Sequence, residues 1–396
     1  MIVESPVERL AKTNPDMEIW WDSSPLVYEK WIDQMLAKAP RDGKDLLEAQ
    51  LRRLYDKANP AESVFRGCTT NPKLSLAAVE SDPAFWDRWL GDLRRSHPQL
   101  GLKELTWRTY KEVVRRGAEM YLPIFHASRH RFGWISGQLD PRLFTEKETM
   151  LQQAEELRSL QDNVMIKVPA SKEGIEVLKT LTSKGISTNV TVCFTVAQIL
   201  AAAKAVKEGT LIAEQSGVDL SGWRSVITMM MARLTERKAL VEQASRRGIE
   251  LSSQDKTWLG IAVFKRAYRM LAEGGYPSKM LACSVRPGPL VAGRQRYWDL
   301  EKLAGGEIVF TLPAVALEPL FAIGDRLQFG PEIEEEIPEA VAERFSRIPY
   351  CIQAYNPDGL DVDQFNSHPA VLYTIDDFSG ATNGLEAYVA RRMPPA

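Results

Sequence analysis

Short apolar runs alternate with longer stretches of helical period along most of the chain. Eight runs have the length and the Val, Ile and aromatic content of strands. They are 18–22 (EIWWD), 64–68 (VFRGC), 133–138 (GWISGQ), 164–168 (VMIKV), 188–192 (TNVTV), 225–230 (SVITMM), 280–284 (MLACS) and 307–311 (EIVFT). They are apolar almost throughout rather than alternating, as a parallel sheet covered on both faces requires. Between them lie segments with readable helix signals. Thr145 with Glu148 reads as a capping box before a polar helix ending near Leu160. Ser171 reads as the cap of a helix that stops at Gly185, and Thr195 as the cap of one that stops at Gly209. A further helix spans 258–272 and ends at Gly274 and Gly275. Strand and helix alternating eight times predicts an α/β fold, a (β/α)8 TIM barrel. Residues 1–17 and about 26–60 add helical material before and after the first strand. The expected division is a barrel with N-terminal helical additions over 1–330 and an extension over 331–396. That extension begins acidic (PEIEEEIPEAVAERF) and turns irregular, with PDG and HP turn signals. Its aromatic residues, Tyr350, Tyr355, Phe365, Tyr373 and Phe378, predict that it packs on the barrel and covers part of its mouth.

Composition narrows the function classes. Lys plus Arg is 50 and Asp plus Glu is 52, a net charge of −2. That balance gives no electrostatic reason to expect nucleic acid or anionic lipid as a partner. With 44% apolar and 26% charged residues the chain is far from the disordered class. No apolar run reaches the roughly 18 residues of a membrane span. MIVESPVERL lacks a basic region followed by an apolar core, so a cytoplasmic location is expected. Cys68, Cys193, Cys283 and Cys351 are widely spaced and read as buried, reduced thiols. His97, His126, His130 and His368 share no ligand spacing with Cys or carboxylates, so no metal is expected.

In such barrels chemistry sits at the C-terminal ends of the strands. Asp22 ends the first strand, and Thr69-Thr70-Asn71-Pro72 follows the second. Gln138 ends the third, Lys167 lies in the fourth, and Asn189 and Thr191 lie in the fifth. Thr228 lies in the sixth with Arg233 beyond it, and Ser284 and Arg286 close the seventh. Lys167 carries the sharpest signal. An ammonium inside VMIKVPA is costly to bury, and desolvation favours the neutral amine, a carbonyl nucleophile capable of Schiff-base formation. The bland alternative is a lysine in a buried ion pair, or one that snorkels to water. Asp22 reads as an acid/base carboxylate or as a turn aspartate. Asn71 reads as a holder of a substrate hydroxyl or as an Asx-turn residue. Arg233 and Arg286, with Ser284, read as a phosphate clamp or as two surface salt bridges.

At these residues the sequence resembles the transaldolase family of class I aldolases, including the fructose 6-phosphate aldolases, from about Asp22 to Leu320. FRGCTTNPKLSL is similar to the family's Thr-Thr-Asn-Pro block. IKVPASKEGIEVLKTLTSKGISTNVTVCFTVAQ is similar to its lysine strand, the next helix and the Asn-x-Thr strand. ACSVRPG and LAGGEIVFTLPA resemble its last two barrel strands. The resemblance implies Lys167 as the Schiff-base lysine and Asp22 as the carboxylate that takes the C4 hydroxyl proton. It implies Asn71 and Asn189 as holders of the dihydroxyacetone unit, Thr191 as the orienter of the catalytic water, and Thr228 in the place of a pocket serine. Arg233, Ser284 and Arg286 become the phosphate set. No cofactor is implied, because the protonated imine is itself the electron sink.

Two positions depart from that pattern. Gln138 stands where transaldolases carry a Glu, and Gln can position water but cannot shuttle a proton. Fructose 6-phosphate aldolases share the Gln but pair it with a Tyr after the sixth strand, where transaldolases have Phe; this chain has Met230. Asp140 is a possible substitute carboxylate, read more simply as a cap before Pro141. The expected activity is transfer of a dihydroxyacetone unit from a ketose phosphate to an aldose phosphate, by a monomer or homodimer in carbohydrate metabolism of the pentose phosphate type. The alternatives are a diverged aldolase for a specialised sugar phosphate and a catalytically silent barrel.

Overall fold

The computed structural model describes residues 3–393. Seven strands come first: β1 (Glu18–Trp21), β2 (Phe65–Thr69), β3 (Trp134–Gln138), β4 (Val164–Pro169), β5 (Thr188–Cys193), β6 (Ser225–Met230) and β7 (Lys279–Cys283). A two-stranded hairpin, β8 (Leu290–Val291) and β9 (Arg294–Gln295), precedes the last barrel strand, β10 (Val309–Leu312). The barrel is closed and all parallel, in the order β1-β10-β7-β6-β5-β4-β3-β2. Every expected strand is present, with boundaries moved by at most two residues. The register sets Gln138 beside Lys167 and Lys167 beside Asn189, so three of the candidate residues share one level of the barrel. Inside the barrel Trp20 lies across β2, where a Cβ on Gly67 would sit 2.6 Å from its ring. Only glycine allows that approach.

The helical caps hold in part. Ser171 accepts from Gly174 N at 2.9 Å and Thr195 from Gln198 N at 3.1 Å. The Thr145–Glu148 box does not form. The chain still turns at Glu146, whose N–H donates to the Leu143 carbonyl at 2.9 Å. The helix therefore starts at Lys147, and Thr145 lies outside it. Gly209 does not end its helix, which runs Val196–Gln215. It serves contact instead: a Cβ there would lie 2.6 Å from Thr182 Cβ of the preceding helix. The expected 258–272 helix is longer, Ser253–Glu273, capped by Ser252 with Asp255.

The extension is more regular than its turn signals suggested. Helices Glu339–Phe345, Pro349–Tyr355 and Pro369–Ala390 fill it. Its HP pair is not a loop but a helix start: His368 caps and Pro369 is the first helical residue, where a missing N–H costs nothing. This C-terminal helix packs on the Pro72–Ser81 and Leu102–Ala127 helices and on the end of β5, at the C-terminal face of the barrel. Among the described residues, no helix is long and apolar enough to cross a membrane.

Candidate active site

The interior of the barrel is polar in layers. At the lower end, Glu18 binds Arg224 and Lys279. In the middle, Asn189 donates to Ser136 Oγ at 2.8 Å and accepts from Thr228 Oγ1 at 2.7 Å. These two bonds fix the carboxamide and leave one N–H and one lone pair. Near the upper rim, Asp22 Oδ1 accepts from Thr69 Oγ1 at 2.8 Å. Thr69 also meets Thr311 Oγ1, and the Cys283 thiol lies 3.9 Å from Asp22 Oδ2. Burial pushes the Asp22 carboxyl up from the ordinary aspartate range. The charge of Lys167, the Thr69 bond and the more distant Arg233 and Arg286 offset this only in part. Such a group holds a proton more readily than a surface aspartate, as an acid/base residue must.

Lys167 is 1% exposed and makes no salt bridge or side-chain hydrogen bond among the described residues. It is therefore neither an ion-paired structural lysine nor one that snorkels to water. Beside it, the Gln138 backbone N–H donates to Tyr110 Oη at 2.6 Å. Its Oε1 is buried with no partner. Burying an acceptor unpaired costs about 1–3 kcal/mol, so this atom is poised for a donor from water or substrate. Across the rim, the Thr191 hydroxyl points at the Met230 thioether, 4.0 Å away. Met230, one of the two departures from the family pattern, is thus a neighbour of Thr191. Gln138 also borders a cavity of about 430 Å³ whose walls include Trp107, Tyr110, Arg142 and Leu385.

The remaining candidates are more engaged with the protein. Asn71 Oδ1 caps the Pro72–Ser81 helix, accepting from Leu74 N at 3.0 Å, which leaves its amide N–H₂. Arg233 pairs with Asp377 at 2.6 Å, and Arg286 Nε lies 3.4 Å from Glu236. Asp140 is a cap, accepting from Arg142 N at 3.0 Å, and pairs with that arginine's guanidinium. All four cysteines are buried and unbridged, and burial pushes the Cys283 thiol up to about 11.

Backbone strain marks the same rim. Val192 has φ 53° and Ser284 φ 58°. A β-branched residue there is an outlier that persists only when its surroundings hold it. Gln198 holds the first, donating to the Ala170 and Val192 carbonyls and accepting from Phe194 N at 3.0 Å. Asp299 holds the loop after the second, accepting from Arg286 N at 2.8 Å. Burial pushes the Asp299 carboxyl up to about 7. Gln198 closed the quoted lysine-strand stretch without an assigned role, and Asp299 lay outside every quoted block. Thr69 and Thr311 stood in quoted blocks without an assigned role, whereas Asp377 gave no signal.

The chain matches the model of the Transaldolase/Fructose-6-phosphate aldolase family over residues 49–364. It is 29% identical over 351 residues to a transaldolase of Thiobacillus denitrificans, covering 84% of this chain and 91% of that protein. It is 32% identical over 170 residues to a transaldolase 1 of Streptomyces avermitilis, covering 42% and 44% respectively. With a transaldolase of Mycobacterium tuberculosis it shares 30% identity over 247 residues, 61% of each chain. A closed parallel barrel and a match across most of its length make this chain a member of the transaldolase/fructose-6-phosphate aldolase family.

Proposed function

We propose that the protein transfers a dihydroxyacetone unit from a ketose phosphate to an aldose phosphate through a Schiff base on Lys167. The observation that carries this reading is a buried lysine, with no ion pair or side-chain hydrogen bond among the described residues, within electrostatic reach of a buried carboxyl whose proton affinity is raised. In the proposed cycle Lys167 Nζ attacks the ketose C2 carbonyl, and the carbinolamine loses water to give the protonated imine. Gln138 Oε1 and the Thr191 hydroxyl position that water. Asp22 takes the C4 hydroxyl proton, the C3–C4 bond breaks, and its electron pair moves into the imine to form the enamine. The aldose product leaves. The enamine carbon then attacks the acceptor aldehyde, Asp22 returns its proton to the new alkoxide, and water releases the lengthened ketose. Asn71 and Asn189 hold the hydroxyls of the three-carbon unit, while Arg233, Ser284 and Arg286 hold the phosphate. Sodium borohydride with fructose 6-phosphate tests the reading. It is expected to add a reduced adduct to the Lys167 peptide and to none in Lys167→Met. An unmodified Lys167 in folded protein would remove the mechanism.

A second reading, a diverged aldolase acting on a specialised sugar phosphate, is favoured by the pairing of Thr191 with Met230 and by an amide at position 138. Gln138→Glu separates the two. Gain of transfer from fructose 6-phosphate to erythrose 4-phosphate assigns the departure to the missing proton shuttle. No gain assigns it to Met230 or to the acceptor pocket.

A further inference from the structure

The short Met231–Thr235 helix after β6 carries Arg233, and Arg237 follows it. Both arginines reach the C-terminal helix. The Arg237 guanidinium lies 3.4 Å from the Tyr373 ring centre, and that of Arg233 lies 4.9 Å from the Phe378 ring centre. Between these rings sits Asp377. Its Oδ2 accepts from Arg233 Nη2 at 2.6 Å, and its Oδ1 lies 3.6 Å from Lys73 Nζ. One carboxylate thus bridges two cations that belong to different barrel loops, one after β2 and one after β6. The attraction of Arg233 and Lys73 outweighs the burial of Asp377 and holds its carboxyl below the ordinary range, so it is charged.

As an anion seat this arrangement is only half filled. A guanidinium presents two nitrogens in a fork that a phosphate can engage together. Asp377 engages Nη2 alone, and Arg233 Nη1 is buried with no partner among the described residues. A phosphate accepting from both nitrogens would take the bond that Asp377 makes and satisfy the nitrogen that it leaves. The helix itself is pinned near its C-terminal end, to the turn after β3 and to the Pro83–Ser96 helix. Glu386 binds Arg142 at 2.7 Å, and the Tyr388 hydroxyl donates to Asp87 at 2.9 Å. Exchange of the carboxylate for a phosphate therefore needs a side-chain rotation into water, not loss of the helix; Asp377 is already one-quarter exposed. Asp377 also lies beyond residue 364, where the family match ends.

We propose that Asp377 is a specificity-determining residue: it occupies the anion seat on Arg233 and Lys73 and competes with the substrate phosphate for it. The inference rests on reading Arg233 as a phosphate-binding residue. An internal competitor lowers apparent affinity by the fraction of molecules in which it is displaced. Removing its charge releases that penalty and one like-charge repulsion.

The test uses the full chain and Asp377→Asn, which keeps shape and loses charge, with Asp377→Ser as a second variant and circular dichroism to verify folding. Inorganic phosphate binding is measured by isothermal titration calorimetry. The dissociation constant is expected to fall by about tenfold or more, the scale of one charge-assisted hydrogen bond. The KM ratio of fructose 6-phosphate to fructose is expected to fall equally. Phosphate that binds measurably only to the variants is the same result in stronger form. An unchanged or weaker constant, or no phosphate binding by any form, overturns the proposal; weakening would make Asp377 a positioning residue for Arg233. If borohydride traps nothing on Lys167, the Schiff-base reading fails, while the phosphate titration still decides the role of Asp377.

Discussion

Replacing Glu18 by glutamine should destabilise the barrel without touching its chemistry. Glu18 is 2% exposed at the lower end of the interior. Its Oε1 takes Arg224 Nη2 and, at 3.0 Å, Lys279 Nζ, and its Oε2 accepts from Trp20 Nε1 at 3.1 Å. The two cations are themselves largely enclosed, with side chains 14% and 15% exposed. The amide keeps the volume but leaves both charges facing a neutral group. Removing one partner of such a buried cluster costs about 3–5 kcal/mol, because the penalty is the uncompensated charge left behind. Unfolding entropy of about 2.1 cal/mol/K per residue gives roughly 0.8 kcal/mol/K for this chain, so Tm should drop by about 4–6 °C.

The pH dependence supplies the sharper check. Burial alone would raise the Glu18 carboxyl, but the charges of Arg224 and Lys279 outweigh it and hold it below the ordinary value of 4.5. Its contribution is therefore complete above that value and fades as pH falls through the lower folded-state value. Calorimetric Tm values for wild type and Glu18→Gln should differ fully at pH 7 and converge in acid. A gap equivalent to less than about 1 kcal/mol at pH 7, on the scale of an exposed pair, would refute the reasoning. So would a gap that persists after Glu18 is protonated. Glu18 opens β1 and Asp22 follows its last residue, four residues on and about 13 Å away at strand rise, so trapping on Lys167 should be unchanged in the folded variant.

Two further outcomes follow from buried groups away from Lys167. Asp299, with its carboxyl near 7, stays protonated in the fold while the unfolded chain ionises near 3.8, so its own contribution to stability should fall as pH rises between these values. At about 1.4 kcal/mol per unit that is on the order of 4 kcal/mol; Asp299→Asn should remove the slope in urea midpoints taken from pH 4 to 7. Gly209→Ala would gain about 1 kcal/mol from helix propensity alone, but its Cβ would meet Thr182 Cβ at 2.6 Å and the Lys179 carbonyl at 2.8 Å. Overpacking of about 1–3 kcal/mol should win, so a lowered Tm is expected, and a raised one would mean the two helices separate easily.

What was legible in the chain follows from how each residue is determined. Lys167 and Asn189 could be read because a strand's burial is local: a charged or amide side chain amid Val and Ile must face something polar. Their pairing across β4 and β5 then follows from the barrel order. Gly209 was misread because a helix-ending glycine and a helix-contact glycine look alike in one segment. Only the Thr182 neighbour, on another element, distinguishes them. The Thr145–Glu148 box failed for a related reason, since its spacing is satisfied but the preceding Pro141 turn runs on through Glu146. The C-terminal helix was hidden by His368-Pro369, a pair that marks a turn or a helix start with equal ease. Asp377 could not be found at all, because its partners lie 144 residues away at Arg233 and still farther at Lys73.

The rim joins two kinds of structure with different freedom. Lys167, Asn189 and Thr228 sit on strands and Asp22 just beyond one, where backbone pairing, and for Asn189 and Thr228 a mutual hydrogen bond, fix them before any ligand arrives. The residues proposed to hold the phosphate sit beyond strand ends, on a short helix after β6 and on the strained turn at Ser284, and each of the two arginines already has a carboxylate partner. Carbon–carbon bond chemistry needs the first kind, because a misplaced acid or amine forfeits rate steeply with distance. Selection among sugar phosphates is a difference of affinities, and it can be set by groups that compete for the same cations. On the proposed role of Asp377, the sugar accepted changes with the helix at the C-terminal face of the barrel, while the residues proposed to carry the imine stay where they are.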